Sequence, residues 1–156
     1  YMTTQLTMQK LNLTDFIDAV EKERPNGMFV PGLVIRKCAT SSTVEDIVRG
    51  TPGAVIAEIA KGVANSEILN KFREAFEKNK WLVLHLSDGS LSPLWREQLS
   101  RLRDSNTVFI QGKTAEDTFF AEQSEGMRIL VVIDDQHIDA VEYPAFLNIF
   151  GPVTEI

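Results

Sequence analysis

His85, Ser87 and Asp88 fall within four positions of one another, at the end of the apolar run Leu82-Val83-Leu84. Imidazole, hydroxyl and carboxylate are the groups of acid–base and nucleophilic chemistry. Ser87, Ser90 and Ser92 lack a Gly-x-Ser-x-Gly elbow, so hydrolase chemistry has no support. Asp134-Asp135 closes another apolar run, residues 128–133, where a phosphate-handling α/β protein keeps its magnesium carboxylates. The plainer expectation for that pair is a solvated strand end. His85 and His137 lie in different segments, without His-x-His or His-Glu-x-x-His spacing, which speaks against a metal site. Cys38 follows Arg36 and Lys37, cations that favour a thiolate; an incidental cysteine is the plainer expectation.

The elements that must position these groups follow from periodicity and punctuation. Residues 81–86 read as a buried strand, 87–90 as a polar turn, and 93–103 as a helix opened by Ser92 with Pro93 in its first turn. In an open sheet of this kind ligands sit at the carboxyl ends of the strands, here around His85, Ser87 and Asp88. Residues 11–24 read as a helix capped by Asn12 or Thr14, and 66–80 as another, with Ile68, Leu69, Phe72, Ala75 and Phe76 at 3–4 spacing. Residues 28–30 read as a short strand broken by Pro31-Gly32; 33–38 fit either a strand or a loop. A short helix is expected over 43–48, and 54–59 fit strand or helix. Residues 108–110 and 118–121 are expected to form a hairpin, 128–133 a strand, 134–139 a polar turn, 143–148 a short helix and 152–156 a last strand. Trp81 and Trp95 head apolar stripes and belong to the core. Helices alternating with strands give an α/β fold, a three-layer sandwich with a mostly parallel sheet.

The chain has 156 residues, 44% apolar and 24% charged, which suits one globular domain. Residues 1–10 are expected to be disordered or tag-derived, Tyr1 before Met2 being a cloning scar, and 11–156 to form the domain. The chain then reads as an excised piece of something longer. A net charge of −6 and a pI near 4.9 argue against broad contact with nucleic acid or an anionic membrane. One cysteine excludes an internal disulfide and suits a reducing compartment. No apolar run approaches the roughly 20 residues of a bilayer span.

Taken in order, residues 13–156 resemble one AAA+ module of a dynein heavy chain. Met28-Phe29-Val30-Pro31-Gly32-Leu33-Val34-Ile35-Arg36-Lys37-Cys38 is similar to that family's strand and phosphate loop, and Thr51-Pro52-Gly53-Ala54-Val55 to its Asn-Pro-Lys-Ala element. Phe72-Arg73-Glu74, Trp81-Leu82-Val83-Leu84, Asp88-Gly89 and Pro93-Leu94-Trp95 follow its Walker-B region with a short insertion. Leu102-Arg103-Asp104-Ser105-Asn106 stands in for its hairpin turn. Met127-Arg128-Ile129-Leu130 with Asp134-Asp135 resembles the sensor strand, and Pro144-Ala145-Phe146-Leu147-Asn148-Ile149-Phe150-Gly151 the Ser-Arg-Cys-Gly ending.

The departures fall on the chemistry. Pro31 has no N–H to offer a phosphate, and Arg36 stands where a glycine should precede the lysine. Lys37 remains as a point charge, Cys38 replaces the magnesium-binding hydroxyl, and Ile149 holds the place of the arginine finger. The resemblance therefore implies an AAA+, P-loop-NTPase-like large subdomain without its helical lid. Its vestigial nucleotide site would comprise Gly32, Arg36, Lys37, Cys38 and Asp88, with no catalytic residue, no metal and no cofactor, ATP being the one candidate. It further implies a structural, coupling role in a microtubule motor, with neighbouring AAA+ modules as partners, in the cytoplasm on the cytoskeleton or a cilium. A missing lid would expose apolar surface near Phe146, Phe150 and Ile156 and promote self-association. A free-standing α/β interaction domain, and a weak nucleotide binder without hydrolysis, are the alternatives.

Overall fold

The apolar runs become strands of one six-stranded sheet in the computed structural model, which describes residues 10–25, 27–37, 53–141 and 143–156. In chain order the elements are β1 (Lys10–Leu11), α1 (Leu13–Glu21), β2 (Gly32–Arg36), β3 (Val55–Ile59), α2 (Asn65–Lys78), β4 (Leu82–Leu86) and α3 (Pro93–Ser105). There follow β5 (Thr107–Ile110), β6 (Phe119–Glu122), β7 (Ile129–Asp134), a 3-10 helix (Asp135–Val141), α4 (Tyr143–Leu147) and β8 (Val153–Glu155). The sheet order is β1-β8-β2-β7-β4-β3, and every pairing in it is parallel. β5 and β6 form a separate antiparallel ribbon.

Parallel strands are buried on both faces and read as near-continuous apolar runs; β7 is buried along its whole length. One face, carrying Leu33, Ile35, Leu84, Leu86, Val131 and Ile133, packs against Phe72 of α2, Trp95 and Leu99 of α3, and Phe146. The opposite face, carrying Val34, Val83, Leu130 and Val132, packs against Phe16 and Val20 of α1. Helices thus lie on both sides of a parallel sheet, an α/β architecture with three layers. Phe72 and Trp95 stack with ring centroids 5.1 Å apart, locking α2 to α3.

Local signals explain the helix ends. Asn12 caps α1, its side-chain oxygen accepting from the Asp15 N–H at 2.8 Å. Ser92 is the N-cap residue of α3 and Pro93 opens the helix, yet the serine hydroxyl makes no capping bond. Asn79 and Asn106 end α2 and α3 in the left-handed region, at φ 57° and 58°, the conformation asparagine adopts more readily than other non-glycine residues.

Several expectations are corrected. The first core strand is Gly32–Arg36, not 28–30. Pro31 lacks the N–H an interior ladder needs and so stands just before the strand. Gly32 is a packing glycine: a Cβ there would lie 2.7 Å from Val20 Cγ2 and 2.9 Å from Phe16 Cζ. The segment 54–59 resolves as strand β3. Lys10, at the end of the segment expected to be disordered or tag-derived, pairs with Val153. Asp134–Asp139 is no plain turn: Asp134 ends β7 and the 3-10 helix begins at Asp135. Phe146 and Phe150 are 0% and 8% exposed, and Ile156 packs against the α1 side, so the expected exposed apolar surface is absent there. The short helix expected over 43–48 lies outside the described residues.

Candidate functional site

The carboxyl ends of β2, β7, β4 and β3 bring most of the polar candidates to one edge. Arg36 and Asp134 are partners in the β2–β7 register. The guanidinium grips the carboxylate with two teeth, Nε to Oδ1 at 2.8 Å and Nη2 to Oδ2 at 3.2 Å. The Asp134 side chain is only 9% exposed and that of Arg36 23%. The solvated strand end expected at Asp134 is therefore a buried ion pair, because the strand beside it delivers a matching cation. Lys37 follows: its Nζ lies 3.3 Å from Glu155 Oε1, and its backbone N–H donates to the Ile156 carbonyl at 2.8 Å.

On the β4 side, the Ser87 hydroxyl donates to Glu58 Oε2 at 2.5 Å, and His85 stands opposite Glu58 in the β3–β4 register. Asp88 sits in the turn after β4. One of its oxygens accepts from the Lys61 N–H at 3.0 Å, the other from the Ser90 N–H at 2.8 Å. The Lys61 bond, then the Ser90 bond, hold its carboxyl below the ordinary value of 3.8, against a small opposing effect of burial. Asp88 thereby ties the β3–α2 turn to the β4–α3 turn.

Between those two turns lies a cavity of about 370 Å³. Ile59, Ile68 and Trp95 make its floor, and Lys61, Asn65, Ser90 and Ser92 are its polar lining. The Trp95 indole N–H donates to Asn65 Oδ1 at 3.0 Å, which fixes both side chains.

Of the residues assigned to a vestigial nucleotide site, Arg36 and Lys37 lie together at the carboxyl edge. Gly32 lies at the opposite end of β2, under α1. Asp88 is tied to Lys61 rather than to the Arg36 region, and Cys38 lies outside the described residues. The phosphate loop expected over Pro31–Cys38 is, through Arg36, a strand whose backbone is engaged in ladders to β7 and β8. A cradle needs inward-pointing N–H groups, and the Leu33 and Lys37 N–H groups donate to Pro152 and Ile156. Glu58, Lys61 and the pairing role of Asp134 escaped sequence reading. The one signal was a cationic pair ending one apolar run and an acidic pair ending another, Arg36-Lys37 and Asp134-Asp135. Among the described residues no three His, Cys, Asp or Glu side chains converge as a metal site, and no helix is long and apolar enough to cross a membrane.

Compared with protein-family models and with curated proteins, the chain has no match in either.

Proposed function

We propose that the chain is a catalytically silent α/β module of the AAA+ type, of the kind that dynein rings contain, which positions and couples neighbouring protein parts without turning over nucleotide. The observation that carries this reading is the Arg36–Asp134 pair. Cation and carboxylate at the strand ends neutralise each other, where a phosphate handler would direct them at a ligand and its magnesium. The order of elements supports the AAA+ part. A helix leads into β2; β3, α2, β4, α3, the β5–β6 hairpin, the apolar β7 and a last strand follow in the order of the resemblance, whose helix between β2 and β3 would fall outside the described residues. The correspondence that remains is between elements, not between residues 31–38 and a glycine-rich loop.

Thermal unfolding with and without millimolar magnesium-ATP is the test. No shift is expected, and no turnover above a Lys37→Ala control. A site at about 100 times its dissociation constant of ligand would add about 2.7 kcal/mol, and a shift of that order would overturn the reading.

A second reading, a free-standing interaction domain, is favoured by one feature. Phe109 and Phe120 are partners across the β5–β6 ribbon and are 38% and 62% exposed. Loss of binding to a partner protein on replacing Phe120, with ATP still inert, would favour it.

A further inference from the structure

The cavity between the β3–α2 and β4–α3 turns belongs to neither reading above. Its volume of about 370 Å³ falls within the roughly 300–1,000 Å³ of small-molecule sites. It opens at the carboxyl ends of two adjacent parallel strands, where open α/β sheets take their ligands.

We propose that this cavity binds a small aromatic monocarboxylate. Ile59, Ile68 and the edge of Trp95 supply the apolar part of the lining, a surface suited to a compact apolar ring system. Trp95 is 2% exposed and held from behind by Phe72 and from the side by Asn65, so the floor is rigid before any ligand arrives. The lining residues include one with a charged side chain, Lys61, together with Ser90 and Ser92. Among the described residues Lys61 has no carboxylate partner, so its charge is available to an incoming anion. Asp88, whose carboxylate accepts from the Lys61 backbone, does not itself line the cavity. Its two oxygens are turned to the Lys61 and Ser90 backbone N–H groups, and that clamp holds the two lips at a fixed spacing. Asp88 is thus a positioning residue for the site.

Titration of the isotope-labelled full chain, followed by two-dimensional NMR, tests this with 2-naphthoate, its neutral isostere 2-naphthamide, and inorganic phosphate. Naphthoate is expected to move the Trp95 indole N–H signal saturably and to leave that of Trp81 in place. Naphthamide should bind about tenfold more weakly, a difference of about 1.4 kcal/mol, and phosphate alone should not saturate. Lys61→Gln, a change at an exposed position, should bring naphthoate down to the naphthamide level. Equal binding of the two naphthyl probes, saturation by phosphate alone, naphthoate shifts confined to Phe109 and Phe120, or no saturable shift at about 50 times the affinity limit of a weak millimolar site would each overturn the proposal. Because ATP takes no part, this result and that of the melting experiment stand or fall separately.

Discussion

Arg36 and Asp134 are 98 positions apart in the chain and 2.8 Å apart in the fold. A buried pair of this kind is weak evidence for stability, because desolvating both charges costs about as much as their attraction returns; removing one partner is what destabilises. Arg36→Met should therefore cost about 3 kcal/mol, the lower end of the buried-pair range, since the arginine keeps some exposure. For a chain of this size that is a fall of about 6–12 °C in Tm. The double variant Arg36→Met with Asp134→Leu should recover most of the loss, read by denaturant unfolding of all four members of the cycle. Recovery of nothing would mean that the pair holds some structure besides itself. Asp88 behaves differently, because its charge is held by backbone N–H groups at an exposed site. A carboxyl whose folded value is depressed stabilises the fold above its unfolded value, near 3.8, and loses that contribution as pH falls through the folded value. The acid limb of the stability curve below about pH 4 should thus be shallower in Asp88→Asn than in the parent chain, as measured by melting between pH 2.5 and 6.

At the scale of elements, the ribbon β5–β6 depends on a side chain from a neighbouring helix. Gln98 of α3 is fully buried; its amide nitrogen donates to the Phe109 carbonyl at 2.8 Å, and its oxygen accepts from the Phe109 N–H at 2.7 Å. It satisfies the outer edge of β5 as another strand would. Gln98→Leu takes the side-chain partner from both part-buried backbone groups, at about 1 kcal/mol each, the lower end of the range for an orphaned group. Hydrogen exchange at Phe109 should quicken well beyond that at Val131 in the middle of the main sheet. Local pattern made much of this architecture legible. The 3–4 spacing from Ile68 to Phe76, the Ser92-Pro93 start and the apolar run before Asp134 all placed their elements. Where sequence reading failed, the deciding force came from distant residues. Pro31-Gly32 reads as a strand breaker, but Phe16 and Val20 need the glycine at the start of a strand. The strand β3 was ambiguous because Ala57 and Glu58 suit either period. The ion pair left only the charge signs of two run ends in the sequence, and the clamp of Asp88 on Lys61 left nothing, since only the sheet order makes them neighbours.

At the scale of the molecule, the sheet order places β2 and β7 centrally, with β3 at one edge and the short β1 at the other. Polar groups gather at the carboxyl edge, while both faces are covered by helices. Phe146 and Phe150, where a truncated AAA+ module would display a lid-facing patch, are buried, and the large apolar side chains exposed among the described residues are Leu13, Phe109 and Phe120. On the outward side of the hairpin Phe120 meets Phe109 edge to face at 6.2 Å and Arg101 lies 5.8 Å from the Phe109 ring. Phe120 is 62% exposed and contributes little to the core. Phe120→Ser should accordingly change stability by no more than about 0.5 kcal/mol. Phe146→Ala, which empties a site at 0% exposure, should cost about 3–5 kcal/mol. If the chain self-associates, sedimentation should show the Phe120 variant shifted toward monomer with its Tm unchanged. Association that survives Phe120→Ser would place the contact elsewhere on the molecule and remove the one structural feature that favours an interaction domain over a silent module.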